Sequence, residues 1–196
     1  MAEIVLGVGA SHSPLLNSPA EDYPKHAEKD AEGRPLVDEY GNRATYGELL
    51  ERADPAIKDQ IRMEVLEERT EACTRNIDRL DQAIRDANLD ALIIIGDDQN
   101  EQYSDDNMPA ILIYRGDTII NNPLNLGPDA PEFWVKARSQ YHTKDGPIEY
   151  PVASDLSSWL IDELMDADFD ISQATRLSDP HGEGHAFGYV HQRLMT

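Results

Sequence analysis

The feature that most constrains the fold is a long amphipathic segment followed at once by a wholly apolar one. From Ile57 to Asn88, apolar side chains recur at steps of three and four residues, which is the spacing of one helix face. Ala91 to Ile95 is apolar throughout and strand-sized, and Ala110 to Tyr114 has the character of a further strand. A strand, a helix and a strand make a βαβ unit, whose buried parallel strands are continuous apolar runs. We therefore predict one α/β domain over residues 1–196, with a mostly parallel central sheet flanked by helices.

Shorter patterns complete this prediction. Residues 18–45 contain several prolines and glycines, which favours a long loop that is functional or mobile. The alternative is a disordered excursion or an arm that contacts a partner. The remaining predicted elements are a first strand from Glu3 to Gly9, a hairpin that pairs Ala110–Tyr114 with Asp117–Asn121, a helix from Asp155 to Met165 with Ser154 as N-cap, and a strand from Phe169 to Arg176.

Charge and cysteine content exclude several classes of protein. The chain has 17 basic and 38 acidic residues, a formal net charge of -21. This argues against a nucleic-acid binder and against binding to anionic membranes, both of which need basic surfaces. Cys73 is the only cysteine, which excludes an internal disulfide framework and favours a reducing compartment. Because the N-terminus lacks the basic region of a signal peptide, we predict a cytoplasmic protein.

Two polar clusters follow predicted strands. Ser11–Pro14 comes after the first, and Asp97–Glu101 comes after Ala91–Ile95. Ligands of open α/β sheets bind outside the carboxyl ends of the strands, so the clusters share a crevice if the strands are neighbours. His12 with a carboxylate or amide oxygen would then suit Fe(II) or Mn(II). The alternative is that His12 only makes hydrogen bonds within its own turn.

A third cluster, His181 to Gly188, combines glycines with histidines, and His191 follows it. Glycine allows close approach of the backbone to a ligand, and histidine is a candidate acid or base near neutral pH. We predict that role for His185, whereas His181 and His191 are predicted to be exposed loop residues. The alternative is a surface loop without function.

Three segments in the same order resemble the class III (LigB-like) extradiol ring-cleavage dioxygenases, in particular the gallate and 3-O-methylgallate dioxygenases. They are Gly7-Val8-Gly9-Ala10-Ser11-His12-Ser13-Pro14, then Gly96-Asp97-Asp98-Gln99 with Asn107-Met108-Pro109-Ala110, and Gly184-His185-Ala186-Phe187-Gly188-Tyr189-Val190-His191. The resemblance spans essentially the whole chain.

The resemblance implies a non-haem Fe(II) enzyme that cleaves a catecholic aromatic acid, similar to gallate or protocatechuate, with O2. It identifies His12 with the first iron ligand and His185 with the acid–base histidine. The second ligand falls at or beside Gln99, where Asp98 would be the stronger donor. Ser13 and Phe187 are the candidate substrate-binding residues, and a homo-oligomer or a complex with a second subunit is expected.

The sequence also departs from this family. No histidine lies between His26 and His142, and the glutamate ligand that the family places well downstream of the acid–base histidine is not found in the eleven residues after His185. One alternative is therefore a non-catalytic or shortened member whose metal site is completed by a partner chain. Another is a different metal-assisted enzyme that uses Asp97 and Asp98 as hard oxygen ligands. An anionic substrate would need a local cation, for which Arg115, Arg138 and Lys144 are candidates.

Overall fold

The computed structural model describes residues 3–33, 35–177 and 182–196 as one domain of mixed helix and strand. Its α-helices are α1 (Tyr23–Ala31), α2 (Tyr46–Arg52), α3 (Ile57–Gln60), α4 (Met63–Asp86), α5 (Glu132–Arg138), α6 (Ser154–Asp166) and α7 (His185–Arg193). Its strands are β1 (Leu36–Val37), β2 (Arg43–Ala44), β3 (Leu112–Tyr114), β4 (Thr118–Asn121), β5 (Ile148–Pro151) and β6 (Ser172–Ala174). Short 3-10 turns cover Pro14–Asn17, Ala20–Asp22 and Ser139–Tyr141.

The segment predicted as one long helix is helical, but it forms two helices. The chain leaves helical geometry at Arg62, whose ψ is 146°, so that α3 and α4 are separate. The side chains of Ile57 and Ile61 are 44% and 57% exposed. Because neither is buried, packing of these side chains does not stabilise one continuous helix. Farther along, Ile77 and Ile84 of α4 are buried as the periodicity predicts. Helix α6 also confirms its prediction, although Ala153 rather than Ser154 is its N-cap.

The prediction of a loop over residues 18–45 was wrong. Pro24 lies in the first turn of α1, where proline is tolerated because the N–H that it lacks would have no helical partner. Gly41, with φ of +83°, turns the chain between β1 and β2, which pair antiparallel. Proline and glycine therefore mark the ends of short elements in this segment, not the absence of structure.

The predicted hairpin and the central sheet are not seen in the described residues. Strands β3 and β4 do not form a hairpin: β3 pairs in parallel with β6, and β4 pairs antiparallel with β5. Each of the described sheets has two strands. Residues 3–9 and 91–95 form no strand, which corrects two predictions, and β6 is shorter than Phe169–Arg176. Apolar character indicated extended chain, but the partner of each strand depends on residues far away in the sequence.

The core joins the middle of the chain to its C-terminal helix. Its buried residues are Ile77, Ile84, Tyr141, Tyr189 and Leu194, against which Leu6, Leu16, Leu80, Leu89 and Val190 pack. The core thus brings α4, α7 and the Ser139–Tyr141 turn together, and it anchors the chain just before His12. Within the described ranges, every helix is too short or too polar to cross a bilayer.

Candidate functional site

A distant turn holds the segment that carries His12. The Tyr141 hydroxyl donates a hydrogen bond to the carbonyl oxygen of His12, and the Gln140 side-chain amide donates to the carbonyl oxygen of Ser13 at 3.0 Å. The Ser13 hydroxyl accepts the N–H of Leu15 at 3.3 Å and so caps the 3-10 turn that follows. Burial raises the pKa of Tyr141 to about 12, so its hydroxyl remains a donor at neutral pH. The backbone of His12 is therefore positioned by residues more than 120 positions away in the sequence.

His185 lies at the N-terminus of α7, and Glu101 determines its orientation. One oxygen of Glu101, Oε2, accepts two hydrogen bonds from His185, one from its backbone N–H at 2.9 Å and one from its ring Nδ1 at 2.8 Å. A carboxylate is favourable at a helix N-terminus, where the backbone N–H groups lack helical partners. Because the carboxylate can only accept, Nδ1 carries the hydrogen, and the lone pair of the neutral ring is on Nε2. His185 is thus prepared to act as a base through Nε2.

Glu101 remains ionised although it is half-buried. Burial works to raise its pKa, but the hydrogen bonds from the side chain and backbone of His185, with the charges of His185 and Arg138, lower the pKa below its ordinary value. The Arg138 guanidinium is 3.9 Å from Glu101 Oε1, a distance that permits attraction without a close bond. The result is a negative carboxylate that can stabilise a protonated His185.

His12 and Asp97 meet beside this pair. The Nε2 atom of His12 is 3.7 Å from Oδ1 of Asp97, and the rings of His12 and His185 are 4.8 Å apart between centroids. A hydrogen bond from the Gln99 side-chain amide to Asp97, at 2.9 Å, lowers the pKa of that carboxyl. The polar clusters that the sequence places after two apolar segments therefore do converge, and the glycine-rich segment joins them.

Asp98 and Gln99 have other roles in this geometry. The Asp98 carboxylate accepts the backbone N–H groups of Glu101, Gln102 and Tyr103 at 3.0–3.2 Å, which closes the turn that delivers Glu101. Gln99 uses its amide nitrogen to hold Asp97. The sequence predicts Asp98 and Gln99 as metal ligands, but the side chain that the described structure places against His12 is Asp97.

The glycines of the third cluster let parts of the chain approach one another. A Cβ atom at Gly184 would lie 2.9 Å from Oε2 of Glu101, and one at Gly96 would lie 3.0 Å from the Cβ of Ala186. The Phe187 ring packs against both glycines. Phe187 therefore lines the region next to His185, and small residues are needed there so that Glu101 and α7 can touch.

The prediction that His191 is an exposed loop residue was wrong, and His181 lies outside the described residues. His191 is in α7 with its side chain 9% exposed, and its Nδ1 is 2.8 Å from Oε2 of the wholly buried Glu183 side chain. Asn121 also donates to Glu183, at 2.7 Å, and to the carbonyl oxygen of Tyr141, at 2.9 Å. This buried network joins Glu183, two residues before His185, to α7 and to the Ser139–Tyr141 turn.

Glu101 and Tyr141 are the site residues that sequence reasoning missed. Glu101 belongs to the predicted polar cluster, yet nothing in the sequence distinguishes it from the acids around it. Arg138 is the one of the three candidate cations that the structure brings to the site. Arg115 instead bonds Gln173, and Lys144 is exposed.

The described residues offer only part of a metal site. No group of three or more His, Cys, Asp or Glu residues in the described ranges converges so that it could hold a metal ion. His12 and Asp97 supply two donors whose separation one ion could bridge, given metal–ligand distances of about 2.0–2.2 Å. No family model, curated protein or solved structure matches the chain.

The pH dependence of stability is expected to include His142, which flanks the site. Burial lowers the pKa of His142 below its ordinary value, and its Nδ1 donates to the carbonyl oxygen of Asn122 at 3.2 Å. The unfolded chain then binds more protons, so this contribution to stability is complete above the unfolded pKa of about 6.5 and is lost as pH falls through the folded value.

We predict that His142→Asn, which keeps a donor near the Nδ1 position, flattens the fall in the free energy of unfolding between about pH 7.5 and pH 5. Urea denaturation at both pH values measures this. Burial also lowers the pKa of His26, which contributes equally in both proteins and cancels in the comparison, whereas the lowered pKa of Glu101 acts below about pH 4.5. An unchanged slope in the variant would show that His142 does not bind the proton.

Proposed function

We propose that the chain performs Fe(II)-dependent extradiol cleavage of a catecholic aromatic acid by O2, with His185 as its acid–base residue. The observation that carries the proposal is the hydrogen bond between Glu101 and His185 Nδ1, in a ring whose centroid is 4.8 Å from that of His12. The sequence resemblance to extradiol dioxygenases assigns the same two histidines to the metal and to proton transfer. Geometry and resemblance are independent supports for one site.

Two of the metal ligands in this proposal are His12 and Asp97. A histidine and a carboxylate are donors of the facial triad that binds Fe(II) in non-haem oxygenases. When bound, the iron would hold the two hydroxyls of the substrate and O2 next to each other. The third ligand is not supplied by the described residues, and the proposal requires it from elsewhere in the assembled enzyme.

The chain's own residues would handle protons and orient the substrate. His185 Nε2 would take a proton from a substrate hydroxyl, and the resulting imidazolium would be stabilised by Glu101. The Arg138 guanidinium is 3.9 Å from the Glu101 carboxylate, so the two groups are not closely bonded. Arg138 would therefore attract the substrate carboxylate despite the net charge of -21 on the protein. Phe187 would provide an apolar surface for the ring, and Ser13 would shape the turn that presents His12.

The central parallel sheet belongs to this proposal as well. Residues 3–9 and 91–96 run directly into His12 and Asp97, and both are rich in the apolar side chains of buried parallel strands. The described structure forms no strand in either segment; paired within one sheet, they would place the candidate site at their carboxyl ends, where ligands bind in α/β proteins.

The second candidate is a non-catalytic or shortened family member that acts as a subunit. The finding in its favour is that two donors, not three, meet among the described residues. In that case a partner chain completes the metal site, and the isolated chain binds iron weakly and does not turn over.

His12→Ala is expected to abolish stoichiometric Fe(II) binding while the fold remains intact, because His12 is one of the two donors that converge among the described residues. Metal content after anaerobic reconstitution measures the first effect, and circular dichroism the second. The matched control is His26→Ala, which removes a histidine that packs on Phe133 and bonds Ser18 and that makes no contact with His12 or Asp97 among the described residues. Full iron stoichiometry in His12→Ala would remove His12 from the site.

Activity is tested by O2 uptake of the reconstituted protein with gallate, 3-O-methylgallate and protocatechuate. Uptake coupled to a ring-opened product supports the dioxygenase. If the protein binds iron but takes up no O2 with any of the three aromatic acids, the result favours the non-catalytic subunit.

A further inference from the structure

Two apolar segments of the chain have no hydrogen-bonding partners for their backbones among the described residues. No backbone hydrogen bond joins residues 3–9 or 91–96 to another part of the chain that the structure describes. Exposure alternates along residues 91–95, with Leu92 and Ile94 partly buried and the others exposed, as on a strand with one covered face. Segments of this kind present N–H and C=O groups on which a further strand can pair.

The apolar side chains of the two segments are much more exposed than apolar side chains in the core of a folded domain. Ile4 and Ile95 are each 93% exposed, and Val5 and Ile93 are 62% and 60% exposed. The whole chain has an accessible surface of 13727 Å² and a mass of 22.0 kDa. A compact monomer of that mass exposes about 9,300 Å², so the chain exposes roughly 4,400 Å² more than a compact monomer, and the two segments contribute to this excess.

The charges around the two segments decide between possible occupants. Residues 3–24 and 86–114 contain no Lys or Arg, whereas Glu3, Asp90 and Asp97 border the apolar runs. A second copy would bring these acids against identical acids on a chain whose net charge is -21. A strand with basic residues at its ends would instead form complementary pairs.

We propose that residues 3–9 and 91–96 form a docking surface for β-strands of a second polypeptide, with alternating apolar side chains and Lys or Arg at the strand ends. Main-chain hydrogen bonds would provide affinity, and the exposed isoleucines and valines would select apolar side chains on alternate positions of the partner. The bound polypeptide would lie beside His12 and Asp97, which follow the two segments directly. The inference uses the surface alone and does not depend on the proposed metal chemistry.

The test measures binding of a labelled synthetic strand peptide of alternating valine and threonine with lysine pairs at both ends. Fluorescence anisotropy should show binding that is at least about tenfold weaker at 0.5 M than at 0.05 M salt, because screening weakens the charge pairs. Methylation of alternate peptide nitrogens should abolish binding, since it removes ladder donors. Glutamate pairs in place of lysine should also abolish it.

Matched variants locate the surface. Ile95→Lys adds a charge at a position that is already 93% exposed, so it leaves the fold intact but should abolish binding of the peptide. Ile61→Lys, at a 57% exposed position in the break between α3 and α4, should bind it normally. Equal binding by Ile95→Lys, no binding by the wild type, or tight binding of the glutamate peptide would each overturn the proposal. So would a wild-type dimer in sedimentation that Ile95→Lys dissociates, because the occupant would then be a second copy.

Discussion

His185→Ala is expected to lower kcat by about 10²–10⁴-fold while Fe(II) binding is retained, because it removes the acid–base group and leaves His12 and Asp97 in place. Glu101 binds the His185 ring at Nδ1, and the same carboxylate oxygen also accepts a hydrogen bond from the backbone N–H of His185. The alanine variant keeps that backbone contact, so the start of α7 should survive. Steady-state O2 uptake and metal analysis of the same samples measure the two effects.

His185→Asn separates proton transfer from architecture. The asparagine amide nitrogen reaches about the position of Nδ1 and can donate to Glu101, but no group replaces Nε2. If His185 transfers protons, the asparagine variant should be as inactive as the alanine variant, with a melting temperature nearer to that of the wild type. Activity restored by asparagine would assign His185 a purely structural role.

Gly188→Ala is expected to give the largest loss of stability, about 3 kcal/mol in the free energy of unfolding. A Cβ atom at this position would lie 2.2 Å from the carbonyl oxygen of Tyr141 and 3.0 Å from Nδ2 of Asn121. Both are parts of the buried network, with Asn121 and Tyr141 each 1% exposed, so neither can move aside cheaply. Helix α7 must shift away from the Ser139–Tyr141 turn instead.

Urea denaturation compares Gly188→Ala with Gly47→Ala. Gly47 lies in α2 with no atom within 4 Å of its Cβ position, so alanine there should be neutral or stabilising by up to about 1 kcal/mol. Because Tyr141 holds the His12 carbonyl, the Gly188 variant should also lose Fe(II) affinity. Unaltered stability of Gly188→Ala would mean that α7 does not pack this closely on the turn.

The spatial meeting of His12 with the Asp97 segment could be anticipated from sequence, whereas the identity of the carboxylate could not. Both segments follow apolar runs, and that pattern is local. Asp97 and Asp98 are adjacent and chemically alike, and they differ only in what surrounds them. Asp98 meets three backbone N–H groups of its own turn, which leaves Asp97 for His12.

The close approach that glycine allows was predicted, whereas the neighbouring residues were not. The density of glycine around His185 indicates close approach, and the structure shows close approach at Gly184 and Gly188. The approaching atoms belong to Glu101, Tyr141 and Asn121. A sequence pattern records that a side chain is not tolerated at a position, but the neighbour that forbids it lies on a distant segment.

The sequence by itself determined the helices α4 and α6, whose hydrogen bonds join residues four positions apart and whose apolar periodicity can be recognised locally. Only the tertiary structure decided the pairing of β3 with β6 and of β4 with β5, the choice of Asp97 and Glu101 among many acids, and the burial of His191. The physical reason is the same in each case. Ladder hydrogen bonds, ion pairs and burial are made with residues far along the chain, and their free energies depend on which segments the fold brings together.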